Sequence, residues 1–347
     1  MRCSLVISTI CLILHLMPRQ SLPTTFDKSH ESAILIWNEW DDIPGWDHFE
    51  CGCMVTTNRN YKRGNIDAVV IFVDLPYNLR PLKEINHTPN YLVVLTTVTP
   101  LSLAQNALYD HATAPFNFTM TYRLDSDIVW TYYYFSKLNE VDQRVQHFES
   151  PAENFMDLWT ENQQYDLRKK LANKKLLAVY MMYEVNDYSL PESLYLQDLR
   201  HYITLDAFMG CTEYHDCSNY KFMLIFDPSY CPDYLHPQFY TALDKFVVPV
   251  LIGGSNLTHL APPDSYISSS QFSKAKDLAM YLIDLGQDPA RYEKFFWWRS
   301  KYQLQKAIEP YCKLCQELKK PRQHRNPDSF LHWWTQYQCS NRTVSPK

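Results

Sequence analysis

Apolar and polar positions change rhythm along this chain. From Ala33 to about Tyr134, short apolar runs rich in β-branched residues (AILIW, DAVVIFV and YLVVLTTV) are bounded by Pro, Gly, Asn and Asp, which predicts buried strands. A more polar stretch from Lys137 to Lys175, with ENFMDLW and QQYDLRKKLANKK, predicts a helix and connector leading to a further strand, KLLAVYMMY. A helix over SLYLQDLRHYI follows. The most ordered pattern runs from Tyr220 to Pro263. Lys221 to Phe226 and Val247 to Ile252 read as strands, the second closed by Gly253 and Gly254. Between them Leu235, Phe239, Ala242, Leu243 and Phe246 fall at three- and four-residue spacings, predicting a helix with Asp233 as N-cap and Pro237 in its first turn. That is one βαβ unit. Ligands of open parallel sheets gather beyond the C-terminal strand ends, and free N–H groups at a helix start favour phosphate, so Phe226 to Pro237 is the candidate anion site.

Length and composition narrow the partners. The 347 residues permit two domains, and 46% hydrophobic residues allow each a core. A net charge of -5 without a basic run argues against nucleic acid. The aromatic words YYYF and FFWW offer rings for stacking on sugars but read first as core. Ser4 to Met17 is an apolar segment after Arg2, shorter than the roughly 20 residues of a full span and without a clean small-residue cleavage site behind it. Anchor and signal peptide are therefore both open, and both send the rest of the chain into the secretory lumen. Sequons at Asn86, Asn117, Asn256 and Asn341 agree with that compartment. Of ten cysteines, Cys3 and Cys11 lie in the apolar segment, leaving Cys51, Cys53, Cys211, Cys217, Cys231, Cys312, Cys315 and Cys339. A lone CxxC at Cys312 and Cys315 is weak zinc evidence, and an oxidising lumen favours disulfides, whose pairing the sequence leaves open.

The words themselves carry a resemblance. YKFMLIFDPSYCPDY, then a helix and VPVLIGGSN, is similar to the donor-binding half of the Golgi α-1,3-fucosyltransferases. PFNFTMTYRLDSDI, PPDSYI, KDLAMYL, FFWWRSKY, YCKLCQEL and a cysteine-ended tail resemble further words of that family, in the same order, over roughly residues 50 to 340. The resemblance implies an α/β fold of two Rossmann-like domains facing each other, the GT-B type. It divides the chain into a signal-anchor or signal peptide (1–20), a short stem (21–32), an acceptor-side domain (33–165), a donor-binding domain (166–325) and a tail (326–347). It also implies a single-pass type II protein of the Golgi membrane with a luminal catalytic domain, secretion being the alternative, and a tail tied back to the region of Cys312 and Cys315. The implied reaction moves L-fucose from GDP-fucose to an N-acetylglucosamine hydroxyl of a glycan, with inversion and no required cofactor. It needs a carboxylate base, donors and cations on the pyrophosphate, and polar groups on guanine and fucose.

At those positions the sequence departs from the family. The strand word whose Glu is the expected base aligns with TTVTP, which places Val98 there. The helix word whose Glu and Lys contact fucose and phosphate reads Tyr234, Leu235, His236, Pro237 and Gln238. F-E-N-S is FDPS, with Asp227 for Glu, Pro228 for Asn and Ser229 unchanged, and V-S-N has become Met181, Met182 and Tyr183. Retained are Tyr220, Asp233 and Tyr234 on the donor side and Tyr122, Arg123, Asp125, Ser126 and Asp127 in the first half. Asp125 and Asp127 have the spacing of a DxD word, which binds Mn²⁺ in many glycosyltransferases, but the resemblance gives them a turn-and-cap role and no metal. His236 reads as a surface histidine, partly cationic in a mildly acidic lumen. Two functions follow. One is a divergent fucosyltransferase with another base, Asp110 or Asp125; the other is a catalytically inactive luminal protein that binds glycans or a partner.

Overall fold

The computed structural model describes residues 32–38, 48–61, 65–85, 87–100, 116–140, 143–151, 154–181, 191–212, 214–227, 231, 233–253, 257–307, 310–321 and 333. Ser32–Lys347 form one compact unit. Its first sheet contains β1 (Ser32–Ile36), β2 (His48–Glu50), β3 (Cys53–Thr56), β4 (Ile66–Phe72), β5 (His87–Thr97), β6 (Phe118–Thr121) and β7 (Ile128–Val129). The order is β2-β3-β1-β4-β5-β6-β7, parallel throughout except for β2 against β3. Apolar residues cover both faces: Val69 and Ile71 join one cluster, Ala68 and Val70 the other. This is why β4 reads as an unbroken apolar run instead of an alternation. Its one acid, Asp67, is satisfied inside, accepting from the Ala33 N–H and the Thr88 hydroxyl, both at 3.1 Å.

Next in the chain is β8 (Tyr133–Lys137), then the second sheet: β9 (Leu176–Met181), β10 (Leu205–Phe208), β11 (Tyr220–Asp227), β12 (Val248–Gly253) and β13 (Ile267–Ser268). All of these are parallel, in the order β10-β9-β11-β12-β13. Around them lie α1 (Glu161–Ala172), α2 (Pro191–Arg200), α3 (Pro237–Asp244), α4 (Ala275–Gln287) and α5 (Pro289–Glu293). The predicted βαβ unit is β11, α3 and β12, with each strand within about a residue or two of its expected bounds. Gly253 closes β12 at φ 83°, a conformation that L side chains rarely adopt. α1 starts at Thr160, whose hydroxyl accepts from the Gln163 N–H while the Gln163 side chain returns to the Thr160 N–H, a full capping box. Inside this half Lys174, 4% exposed, holds the carbonyls of Ser218, Tyr220 and Lys245 at 2.8, 3.1 and 3.3 Å, which uses all three of its donors.

The last strand, β14 (Tyr302–Lys306), pairs antiparallel with β8, and α6 (Tyr311–Leu318) follows. These two pieces correct the expected domain limits. Phe135 of β8, expected in the first domain, packs in the second half's core against Trp298, with ring centroids 5.4 Å apart. α6, expected to end the donor domain, lays Tyr311, Leu314 and Leu318 on the first sheet beside Ile34 and Val55. Two disulfides fasten it there, Cys51–Cys312 and Cys53–Cys315. The C-terminal CxxC is thus tied to the first sheet, not to the tail as the resemblance implied. FFWW is core, as its reading put first: Trp297 and Trp298 are fully buried, and each such ring contributes about 4–6 kcal/mol of gross apolar burial as an upper bound.

Each sheet has one point where chain order reverses. In the first, β1 is followed by β3 on one side and β4 on the other; in the second, β9 is followed by β10 on one side and β11 on the other. The segments after β4 and β11 therefore leave the sheet beside a switch point, where ligands of open α/β sheets bind.

Candidate functional site

The C-terminal strand ends of the two halves meet. Tyr122 follows β6, and its ring lies edge-on to that of Tyr234, which belongs to the loop after β11, with centroids 5.5 Å apart. Beside them the Leu124 N–H donates to Asp233 Oδ2 at 3.1 Å. Asp233 adopts a left-handed φ of 63°, a conformation Asp tolerates better than most residues. Asp233 is thus a bridge between the halves, not the helix cap expected of it. The cap is His236, whose Nδ1 accepts from the Gln238 N–H at 3.2 Å.

That exchange of caps changes the charge of the candidate anion site. Burial pushes the His236 imidazole down to about 4, so it is neutral, as an acceptor must be, and it is not the cationic surface histidine the sequence suggested. The sign of the linkage follows. The unfolded imidazole takes a proton near pH 6.5 and the folded one only near pH 4, so the stabilisation is fully present above 6.5 and lost as pH falls from 6.5 to 4. The loss amounts to about 3 kcal/mol at most. Replacing His236 with Asn keeps a capping side chain without a titrating ring. Urea midpoints of His236→Asn are expected to be flatter than wild type across pH 6.5 to 4, and parallel curves would show that the acid sensitivity lies elsewhere.

The other donor-side candidates divide by their place on the sheet. Gln238, which the resemblance puts in the phosphate-lysine position, lies in the first turn of α3 with its Oε1 buried and without a hydrogen-bond partner among the described residues. Tyr234 is buried and Asp227 is the last residue of β11. Ser229 lies outside the described residues. Tyr220 is a correction. It opens β11 at the N-terminal edge of the sheet, the end away from the switch-point loops, where its hydroxyl donates to Asp206 at 2.6 Å. Burial first, and then Asp206, raise its pKa, and its role there is structural. The sequence reading also missed a cation beside α3. Arg144 is largely buried, donates to the Thr131 hydroxyl at 2.6 Å, and lies over the Tyr134 ring; burial lowers its pKa, while the Tyr240 and Tyr134 hydroxyls act in the opposite sense.

In the first half the retained motif is spent on structure. Arg123 is 5% exposed and forks onto Asp125, Nε to Oδ1 at 2.9 Å and Nη2 to Oδ2 at 2.7 Å. Its Nη1 donates to the Trp333 carbonyl at 3.1 Å, its guanidinium lies 3.9 Å from the centre of the Trp333 ring, and the Trp333 indole donates to Asp125 Oδ2 at 2.8 Å. Asp127 Oδ2 accepts from the Thr119 N–H and hydroxyl at 2.9 and 2.7 Å, clamping β6. Asp125 and Asp127 therefore face different partners. Asp125, so engaged, is not a free base, and Asp110 lies outside the described residues.

Val98 sits where expected, just beyond β5, at the top of a turn in which the Thr97 hydroxyl donates to the Thr99 carbonyl at 2.6 Å. A carboxylate stands next to it. Asp74, two residues beyond β4 at the switch point, takes a hydrogen bond from the Thr99 hydroxyl at 3.2 Å, with the Thr97 hydroxyl at 3.5 Å. Since Thr97 already serves its carbonyl at 2.6 Å, Thr99 is the effective donor. Asp74 Oδ1 is buried and has no partner among the described residues, and burial raises the pKa against the opposing pull of the hydrogen bonds. The signal available in the sequence was an acid directly after the apolar run DAVVIFV.

Of the remaining sequence candidates, Cys211 pairs with Cys217, and Cys231 is also disulfide-bonded. Cys339, Asn86, Asn256 and Asn341 lie outside the described residues, as does Ser4 to Met17; no helix among the described residues is long and apolar enough to cross a membrane. Asn117 is not an open attachment point. Its amide accepts from the Val93 N–H at 2.7 Å and donates to the Tyr91 carbonyl at 3.1 Å, which builds it into the edge of β5.

Two α/β halves, each built on a mostly parallel sheet and meeting at their C-terminal strand ends, where open sheets of this kind take their ligands, define a doubly wound α/β protein. Two sequence profiles place it further. Residues 29–133 match "Fucosyltransferase, N-terminal" and residues 171–334 match "Glycosyltransferase family 10 (fucosyltransferase) C-term", together well over half of the chain. The chain belongs to glycosyltransferase family 10. It is 28% identical over 272 residues to alpha-(1,3)-fucosyltransferase C of Drosophila melanogaster, covering 74% of this chain and 62% of that protein. It is 29% identical over 236 residues to the human 3-galactosyl-N-acetylglucosaminide 4-alpha-L-fucosyltransferase, covering 63% and 58%. The chain thus spans about six-tenths of the length of these curated relatives. A crystal structure of alpha1,3-fucosyltransferase with GDP-fucose superposes with a TM-score of 0.48 at 11% identity, over 86% of this chain and 94% of the other.

Proposed function

We propose that this protein is a fucosyltransferase of the α-1,3 type, which transfers L-fucose from GDP-fucose to an N-acetylglucosamine hydroxyl of glycoprotein or glycolipid glycans. The observation that carries the proposal is the junction of Leu124 with Asp233 and of Tyr122 with Tyr234. It brings the retained family words of both halves to one place, at the ends of the two sheets. The curated relatives named above as fucosyltransferases support the same reading. Disulfides, two of them closing loops of more than 260 residues, support a luminal site of action, and the apolar Ser4 to Met17 segment suits a Golgi anchor.

The grip on the donor is weak in this proposal. Gln238 and a neutral His236 bring no charge to the phosphates, whereas a lysine would supply a charge-assisted bond worth about 1.5–3 kcal/mol. Gln238→Lys is therefore expected to tighten GDP at least about tenfold by calorimetry. Unchanged affinity would mean that the phosphates do not reach this helix.

The deciding assay is GDP release from GDP-fucose by the purified chain, with and without N-acetyllactosamine. Acceptor-dependent release with fucose on the product is the expected result. Donor binding without release, or no donor binding, would sink the transferase reading and leave the noncatalytic one, a luminal protein that binds glycans or a partner on this scaffold.

A further inference from the structure

Among the described residues around the switch point of the first sheet, one acid has an unspent oxygen. Asp74 follows β4, adjacent to β5, and is held by Thr99, which lies in the same turn as Val98. Its Oδ1 has no hydrogen-bond partner among the described residues, although a buried carboxylate oxygen ordinarily finds one. The other acids close to the junction whose side chains are described are occupied: Asp125 by Arg123 and Trp333, Asp127 by Thr119, and Asp233 by Leu124. We infer that Asp74 is the catalytic base of this chain, standing in from the neighbouring strand for the carboxylate that is absent at Val98. The inference rests on the transferase reading above.

The step balances without a co-reactant. The acceptor hydroxyl donates its hydrogen bond to the Asp74 carboxylate. As the hydroxyl oxygen bonds to C1 of fucose, its proton passes to Asp74, and the bond from C1 to the β-phosphate oxygen breaks with its electron pair leaving on GDP. Charge moves from the carboxylate to the diphosphate. A base serves this role best when its affinity for protons lies well above that of a solvated carboxylate, and burial shifts Asp74 in that direction. The titratable group that senses it among the described residues is Tyr132, whose phenol is pushed up to about 12 by burial and then by the Asp74 charge; it stays neutral and does not compete for the proton at working pH.

Asp74→Asn is expected to lower kcat for transfer at least about 100-fold while donor affinity stays within threefold of wild type. Thr99→Val, which removes the hydrogen bond that stabilises the ionised form, is expected to shift the acid limb of the kcat profile to higher pH. Thr99 is a positioning residue in this account, and a purely structural role would not move that limb. If the wild type transfers fucose but Asp74→Asn does so within threefold, Asp74 is not the base and the transferase reading survives. If the wild type does not transfer at all, the transferase reading fails and Asp74 has no reaction to serve. Should Asp74→Asn fail to fold by circular dichroism, the Thr99→Val profile decides: a limb shifted upward supports the assignment and an unmoved limb overturns it.

Discussion

Removing both disulfides between the β2–β3 hairpin and α6 is expected to cost about 7 kcal/mol of stability, and removing either one alone only about 2 kcal/mol. The asymmetry follows from the loops they close. Cys51–Cys312 and Cys53–Cys315 each span a sequence separation of more than 260 residues. A loop of that size restricts the unfolded chain by about 5 kcal/mol in the chain-entropy account. Once one bond is in place, however, the other closes only the few residues between neighbouring cysteines, worth about 2 kcal/mol. The two bonds act as one fastener with a spare. Cys51→Ala with Cys312→Ala, Cys53→Ala with Cys315→Ala, and the quadruple variant should be compared by urea unfolding without reductant. A quadruple variant that loses only the sum of the two small effects would show that α6 stays docked through Tyr311, Leu314 and Leu318 even in the denatured ensemble, against which all these figures are measured.

The consequence for assembly reaches the site. α6 comes from the end of the described chain, but it packs against the first sheet, while β14 just before it is paired with β8. The chain therefore crosses between halves more than once: the disulfides fasten its returning end, α6, to the first sheet, and the Leu124–Asp233 and Tyr122–Tyr234 contacts join the halves at the strand ends. Loosening the fastener is expected to disturb the junction even though no cysteine described here lines it except Cys231, which packs with Tyr122 and Tyr234.

The sequence made the sheets legible because both are covered on two faces. Runs such as DAVVIFV and KFMLIF are continuous in apolar residues, so β4 and β11 could be located without knowing their neighbours. The antiparallel pair β8–β14 was not legible, because its partners lie far apart in the chain and neither is apolar throughout. The site was legible in outline and not in its roles. Asp233 and His236 both stand near the start of α3, and only the left-handed turn at Asp233, which carries its side chain to the other half, decides which of them caps. Tyr220 shares a word with the loop residues yet begins the strand that they follow, and a strand of eight residues separates its two ends by about 25 Å. Asp74 lies outside the family words altogether. What singles it out is its neighbour across the sheet, the turn from Thr97 to Thr99, and cross-strand neighbours are not visible along a sequence.

The retained Tyr-Arg-x-Asp-Ser-Asp word gives the second large effect. Arg123→Ala is expected to destabilise the protein by about 4 kcal/mol, because it leaves the Asp125 carboxylate without its cation and removes the packing beneath Trp333. Asp125 is 43% exposed at its side chain, so solvent can take up part of its charge, but the guanidinium that it meets is 6% exposed and supplies the fixed geometry. Arg123→Lys should recover little of the loss. An ammonium keeps the charge yet cannot place two donors on the two oxygens of Asp125, a third on the Trp333 carbonyl and a flat face against the indole at the same time. Urea unfolding followed through tryptophan fluorescence reads the stability of each variant. If Arg123→Lys falls within about 1 kcal/mol of wild type, net charge rather than the forked contact holds this corner, and Asp125 would again be free to serve as an acid or base of the site.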